Sequence, residues 1–289
     1  MNYVLISLGT IPDYLEFTLN SILTVDKDAT VFLCTDHNNK EDFKNVKYIH
    51  PKTLENDKIQ EFKSLGLYKN TIFESNPLWQ TSLLRIFYLE SLRLELNLSS
   101  FIHFDNDVII YKPYEALQNV FVNNRLNITR QDDKRFIFGY SFFAEIDFFP
   151  LITDKIIDFA NYGNSYNWSF HNGKPYNEME FLGKIFQTDE DFFNCLPILP
   201  YESNLLFDSS SYGQYLDGTH VHPKTLISGR YADLNHYIGT EIISKRIKVK
   251  FNNNKPKVLW RDKSFDVANL HIHSKRLHKF LPPNYKNYV

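Results

Sequence analysis

Residues Phe101-Ile102-His103-Phe104-Asp105-Asn106-Asp107-Val108-Ile109-Ile110-Tyr111 set two carboxylates, one residue apart, between two apolar runs. A short apolar run of this kind is the signature of a buried strand, so the pair sits at a strand end and not in a solvated loop. Burying one ionised carboxylate is costly, and burying a second beside it is worse unless a cation neutralises both. Oxygen donors suit a hard divalent cation such as Mg²⁺ or Mn²⁺, which keeps coordination positions open for water or phosphate. Asp105 and Asp107 are therefore candidate metal ligands, and the fold must hold a cation at a strand end.

The start of the chain supplies a matching framework. Tyr3 to Thr10 reads as a buried strand ending in Gly9-Thr10, and Pro12 opens a helix carrying Leu15, Leu19, Ile22 and Leu23 at helical spacing. Thr30 to Thr35 is a second buried strand, ending at Asp36. Right-handed crossover places Gly9, Thr10, Thr35 and Asp36 along the C-terminal edge of a parallel sheet, where ligands bind. Val46 to Ile49 extends the sheet, and Pro51 to Pro77 reads as helical turns and loop. Leu78 to Leu96 forms an amphipathic helix, with Leu83, Leu84, Phe87, Leu92 and Leu96 apolar and Arg85 and Glu90 polar. Beyond it the sequence predicts a strand at Arg135–Ala144, helices at Phe148–Ala160 and Asn177–Phe186, and a loop-rich stretch from Pro197 to Gly239. Strands follow near Ile247–Phe251, Val258–Trp260 and Val267–His273. With neither repeat nor Pro/Gly/Ser-rich linker, the expectation is one α/β domain spanning 1–289 around a Rossmann-like sheet.

Composition excludes some partners. Lys+Arg 32 against Asp+Glu 34, with no basic block, is not the footprint of a nucleic-acid binder. Cys34 and Cys195 lie far apart in apolar surroundings without metal-type spacing, which suits buried thiols in a reducing compartment. The first residues lack a basic region and a cleavage site, and no run approaches the ~20 apolar residues of a spanning helix. A cytoplasmic location is expected.

Four segments carry a family resemblance: Trp79-Gln80-Thr81-Ser82-Leu83-Leu84-Arg85, the Phe101–Tyr111 stretch, Phe207-Asp208-Ser209-Ser210-Ser211-Tyr212-Gly213-Gln214-Tyr215-Leu216-Asp217-Gly218, and Asn269-Leu270-His271-Ile272-His273-Ser274-Lys275. In order and spacing, over roughly residues 1 to 275, they resemble the GT-A glycosyltransferases, and more narrowly the capsule and surface-polysaccharide sugar transferases of bacteria and large viruses. The resemblance implies transfer of a sugar from a nucleotide-diphosphate donor to a glycan or other hydroxyl acceptor. In that scheme 1–111 is the donor nucleotide-binding half, 112–289 is the acceptor half, and the C-terminal segment returns to the metal. Asp105 and Asp107 would bind Mn²⁺ or Mg²⁺ against the diphosphate, with Gly9, Thr10, Asp36 and Asn106 beside the donor. A late histidine completes the metal shell in such enzymes, so either His271 or His273 is the candidate. A lipid-linked acceptor would bring the protein into peripheral contact with a membrane.

The remaining candidates keep alternatives open. His271 and His273 alternate along an expected strand, so they share a face. Arg85 either meets phosphate, which its guanidinium suits, or pairs with Glu90 on an exposed face. Lys275 either neutralises the departing nucleotide or is solvated. A carboxylate base is expected at Glu178 or Glu180, which cannot share a helix face, although a first helical turn also favours acidic residues for its dipole. Asp208, beside a serine-rich turn, is the alternative base or a ligand of acceptor hydroxyls. His220 and His222, next to Pro223, belong to an acceptor-side loop and not to the metal. The competing functions are a metal-dependent sugar-nucleotidyltransferase, for which Leu8–Pro12 carries a single glycine, a metal phosphohydrolase, and a non-catalytic carbohydrate-binding protein.

Overall fold

The computed structural model describes residues 1–37, 43–71, 74–145, 147–165, 176–214, 216–217, 237 and 246–289. The opening is the expected βαβ unit, with β1 (Asn2–Ser7), α1 (Leu15–Val25) and β2 (Thr30–Thr35). Alternate residues of the two strands enter different cores. Tyr3, Leu5, Val31 and Leu33 pack with α1, while Val4, Ile6, Phe32 and Cys34 pack against a long helix on the opposite face. Strands buried on both sides read as continuous apolar runs, which is why this part of the chain is legible. The long helix is α3 (Pro77–Glu95), preceded by the shorter α2 (Asp57–Ser64); Pro77 at its first turn and the Asn76 side chain bonded to the Leu78 amide set its start.

β2 pairs in parallel with β3 (Val46–Ile49), and on its other side β1 pairs in parallel with β4 (Ser100–His103). The sheet continues through β7 (Arg135–Ala144) and β6 (Leu126–Asp132), both antiparallel ladders, to β8 (Phe193–Cys195). Its order is β3-β2-β1-β4-β7-β6-β8. The chain winds outward from β1 to β3 and then restarts beyond β1 at β4, so strand order reverses between them. A crevice opens there, at their C-terminal ends. α4 (Tyr114–Leu117), α5 (Phe149–Ser165) and α6 (Glu178–Thr188) are the further α-helices among the described residues. No helix among the described residues is long and apolar enough to cross a membrane.

Two differences from expectation have physical causes. β6, Leu-Asn-Ile-Thr-Arg-Gln-Asp, is too polar to read as an interior strand, yet Asn127, Thr129 and Gln131 are buried. The Asn127 amide donates to the carbonyls of Val122, Arg125 and Phe142, and the Thr129 hydroxyl donates to Ile137 O at 2.7 Å, so burial leaves Asn127 and Thr129 satisfied, while Gln131 Oε1 has no partner among the described residues. The expected strand Val267–His273 is also two elements. β12 (Lys263–Val267) belongs to a second sheet, β10-β11-β12-β9, with β9 (Leu205–Leu206), β10 (Ile247–Asn252) and β11 (Lys255–Trp260). After Ala268 the chain changes partner, and β13 (Asn269–His271) pairs antiparallel with β5 (Val108–Ile110), placing His271 opposite Val108. The hairpins of the second sheet turn on Asn253-Asn254 and Arg261-Asp262, whose φ of 48°, 60°, 47° and 63° make them primed two-residue turns. Of the two cysteines, Cys34 is buried as expected and Cys195 is exposed; both are free.

α6 lies so close to the β6–β7 turn that a Cβ on Gly183 would fall 1.8 Å from Lys134 O. Gly→Ala inside a helix ordinarily stabilises by about 1 kcal/mol. Here Gly183→Ala is expected to do the opposite, costing about 1–3 kcal/mol as an overpacked contact. A urea midpoint below that of the wild type checks the sign.

Candidate metal centre and adjoining cavity

The Asp105-Asn106-Asp107 turn is fixed by its backbone. The Asp105 amide donates to Phe138 O at 2.8 Å, Asn106 Nδ2 donates to Ile6 O at 3.0 Å, and the Thr18 hydroxyl donates to Asn106 O at 2.7 Å. Asn106 thus ties the turn to β1 and α1, and it also lines the cavity described below. Asp107 is buried, and its carbonyl accepts from the Ile272 amide at 2.9 Å. The β5–β13 ladder therefore carries the distal histidines directly to the carboxylates.

His271 Nε2 lies 2.9 Å from Asp107 Oδ1 and 3.6 Å from Asp105 Oδ2. The rings of His271 and His273 pack edge to face with centroids 4.7 Å apart. Asp107, His271 and His273 can each direct one donor atom so that all lie within 4.8 Å of one another. His271 Nδ1 is buried without a hydrogen-bond partner among the described residues. A carboxylate, two imidazoles and an unsatisfied buried ring nitrogen fit a divalent cation that accepts nitrogen as well as oxygen. Among the described residues the group that could hold a cation is Asp107 with both histidines, beside the expected second carboxylate of Asp105. Asp105 stands at the edge, because Arg85 already contacts one of its oxygens.

The charges around this group are strongly coupled. Burial alone would raise the Asp107 pKa, but His271 and Lys275 outweigh it and hold the carboxyl well below its usual range. For His271, burial disfavours the charged ring, yet Asp107 and Asp105 keep its pKa above the ordinary histidine value. Lys275 Nζ contacts Asp107 Oδ2 from a left-handed backbone position, φ 59°, and lies 5.5 Å from the centroid of the Tyr14 ring. Burial lowers its pKa, and Asp107 more than restores it. Lys275 is thus held at the carboxylate and is not a solvated side chain.

These groups face a cavity of about 480 Å³ at the β1/β4 reversal, bounded also by Thr10, Trp79, Arg85 and Glu178. A second cavity of about 780 Å³ continues from it past Leu8, Thr10, Leu78 and Thr81 to Gly9 and Asp36. Gly9 adopts φ 82°, which L side chains rarely take, and its amide donates to Asp36 Oδ1 at 2.6 Å. Gly9, Thr10 and Asp36 are thereby gathered at one sheet edge.

Arg85 does not pair with Glu90, which is buried against Lys58 and Thr153. Its guanidinium bridges Asp105 and Glu178, with Nη2 2.7 and 2.8 Å from the two Glu178 oxygens, and stacks over Phe138 at 5.1 Å. Burial raises the Glu178 pKa above the usual carboxylate value; Arg85 opposes this and Asp105 reinforces it. Glu180 does not join the cavity lining. Its carboxylate accepts from the Asn177 amide at 3.0 Å while Asn177 Oδ1 accepts from the Glu180 amide, a reciprocal helix cap.

Asp208 does not line the cavity. Fully buried, it accepts from the amides of Ser211 and Tyr212 on Oδ1, at 2.7 and 2.8 Å, and from Gly213 and His271 on Oδ2, at 2.7 and 2.9 Å. With four donors on two oxygens, it positions the His271 backbone and is not poised to take a proton from an acceptor. Asn269 does related work: its Nδ2 donates to Gly139 O and Asp208 O, and its Oδ1 accepts from the Asp208 amide. Asn269 lies two residues before His271 on the same strand face, the one signal by which sequence could have marked it. His220 and His222 lie outside the described residues.

No protein-family model matches the sequence, and no curated protein matches it. Solved structures show a distant likeness. Mouse xyloside xylosyltransferase 1 is 11% identical with a TM-score of 0.44, over 68% of this chain and 86% of that one. The galactosyltransferase LgtC is 14% identical with a TM-score of 0.40, over 64% and 70%. The glycosyltransferase GlyE of Streptococcus pneumoniae TIGR4 is 12% identical with a TM-score of 0.44, over 68% and 44%.

The His271–Asp107 pair gives metal-free protein a pH signature. Because the folded pKa of His271 is raised, the pair's stabilisation is fully present below about pH 6.5 and is lost as pH rises through the raised value. With chelator present, the melting temperature should fall from mildly acid to mildly alkaline pH, and His271→Gln should flatten that slope. Mn²⁺, which needs the neutral ring, should bind more tightly over the same range. A flat wild-type profile would dissolve the pair.

Proposed function

We propose that this chain is a GT-A-type glycosyltransferase that moves a sugar from a nucleoside-diphosphate donor to a hydroxyl of a glycan or similar acceptor. The observation that carries the reading is the joint placement of Asp107, His271 and His273 beside Arg85 and Lys275, in one cavity at the strand-order reversal. A diphosphate needs a cation and fixed positive side chains in one place, and this cavity supplies both kinds of partner.

In this reading, residues 1–111 form the donor half, with the nucleoside beside Gly9, Thr10 and Asp36 and the diphosphate reaching the Asp-x-Asp turn. Asp107, His271 and His273 hold the cation, and their imidazoles favour Mn²⁺ over Mg²⁺. When bound, that cation neutralises charge on the diphosphate leaving group. Lys275 exchanges its contact with Asp107 for a phosphate oxygen, adding a second positive charge where negative charge develops. Arg85 orients Asp105 and Glu178, and the buried Nε of its guanidinium has no hydrogen-bond partner among the described residues.

Of the two glutamates at the start of α6, Glu178 is the one that faces the cavity, and it serves as the base. As the acceptor oxygen bonds to the anomeric carbon and the carbon–phosphate-oxygen bond breaks, the electron pair leaves with the diphosphate and the hydroxyl proton passes to Glu178. The acceptor is bound by the half that follows residue 111.

A panel of nucleoside-diphosphate sugars, assayed for nucleoside diphosphate release with Mn²⁺ and with chelator, tests the reading. Release should require metal, and Asp107→Ala should reduce it about a thousandfold, the scale of several kcal/mol of lost charge stabilisation. No release from any donor, or full release in chelator, would end it.

The base assignment has its own check. Glu178→Gln should lower kcat by about 10²–10⁴ with nucleotide affinity preserved. Because the folded pKa of Glu178 is raised, the wild-type rate should climb with pH through a value above the ordinary glutamate one near 4.3. An acid limb at the ordinary value would move the base elsewhere.

A further inference from the structure

The cavity beside the candidate cation site is lined by three carboxylates, Asp105, Asp107 and Glu178, and by two permanent cations, Arg85 and Lys275, with no other Asp, Glu, Lys or Arg among its described lining residues. Acids and bases therefore nearly cancel. Both oxygens of Asp107 are engaged, Oδ1 by His271 Nε2 at 2.9 Å and Oδ2 by Lys275 Nζ. A divalent cation entering alone meets a buried carboxylate that already has its counter-ion, and its own charge would stand largely uncompensated in a partly desolvated site.

Of the two permanent cations, Lys275 is the one placed to yield. Arg85 is fastened to both Asp105 and Glu178, with its guanidinium over Phe138 and a side chain only 12% exposed. The Lys275 side chain is 28% exposed and contacts a single carboxylate, that of Asp107. Its ammonium is a point charge on a flexible stem, with no fork geometry to keep in register. The backbone can stay where it is, since the Lys275 amide donates to Ile272 O at 3.1 Å and holds the turn at φ 59°. The Tyr14 ring, which also lines the cavity with its centroid 5.5 Å from Nζ, remains beside the ammonium as a second favourable contact.

We propose that Lys275 is a built-in counter-ion that competes with the divalent cation for Asp107 and gives up that carboxylate only to a diphosphate, so that cation and diphosphate enter as a pair. A phosphate oxygen takes over the displaced ammonium, and the remaining negative charge of the diphosphate compensates the cation. The site thereby selects the metal–diphosphate complex and disfavours either part alone. The proposal rests on the cation-site reading given above and concerns how the site is loaded, not which sugar it transfers.

Equilibrium dialysis of the full chain against Mn²⁺ and inorganic pyrophosphate, separately and together at one mildly alkaline pH, tests it in the wild type, Lys275→Met and Lys275→Arg. Removing the ammonium should tighten binding of Mn²⁺ alone by about tenfold, weaken pyrophosphate binding in chelator by a similar factor, and shrink the gain in Mn²⁺ affinity that pyrophosphate brings. Lys275→Arg, which keeps the charge, should retain the weak binding of Mn²⁺ alone. Lost packing by itself would weaken both ligands, so the opposite signs separate a counter-ion from a structural side chain. If Lys275→Met does not fold, Lys275→Gln is the second neutral variant. Mn²⁺ binding that is unchanged or weaker in the neutral variants, or pyrophosphate binding indifferent to them, would overturn the proposal and leave the cation site standing. Absence of Mn²⁺ binding by every protein, with and without pyrophosphate, would remove the cation site itself and the proposal with it.

Discussion

Asp107 meets His271 because the three residues of β13 pair with the three of β5, a ladder that joins the middle of the chain to its last quarter. The ladder is held from behind by Asp208, whose carboxylate binds the His271 amide together with three amides of its own loop. A buried carboxylate is tolerated when backbone donors satisfy it. That anchoring leaves His271 free to present its ring, and not its backbone, to the cavity. The grouping of Asp107 with His271 and His273 is thus a product of tertiary hydrogen bonding: neither β5 nor β13 would be a stable unit alone.

The charges facing the cavity form a second level of dependence. Arg85 lies between Asp105 and Glu178, and Lys275 with His271 lies on Asp107, so each ion is solvated chiefly by another. Removing one member of a buried ionic set leaves its partner uncompensated, and such losses are commonly larger than the net worth of the pair. The arrangement also separates two roles that chemistry requires to be separate. Glu178, with burial favouring its neutral form, can exchange a proton near neutrality, while Asp107 stays ionised.

Much of this was legible in the sequence where one rule of physics dominates. Both-face burial makes β1 and β2 continuous apolar runs, helical spacing marks α3, and Asp105 and Asp107 are conspicuous because carboxylates interrupt a buried path. Legibility failed where tertiary contacts choose between equals. Glu178 and Glu180 look alike in sequence, and only the capping bond to Asn177 withdraws Glu180 from the cavity. Asp105 and Asp107 also look alike, until Arg85 takes one and the histidines take the other. β6 conceals itself because the Asn127 amide and the Thr129 hydroxyl meet their hydrogen-bond needs inside the sheet.

The β5–β13 pairing has a consequence in time. Contacts between segments so distant in sequence carry a high loop-closure entropy and form late in folding. During synthesis the Asp-x-Asp turn emerges well before the histidines, and domains collapse as their N-terminal parts appear. For that interval the carboxylates have Arg85 within reach in sequence and neither His271 nor His273, so Arg85 can act as the provisional counter-ion of the nascent turn. Competence of the proposed cation site would then arrive in one step, when β13 docks, and its appearance in a refolding experiment would report closure of the β5–β13 loop.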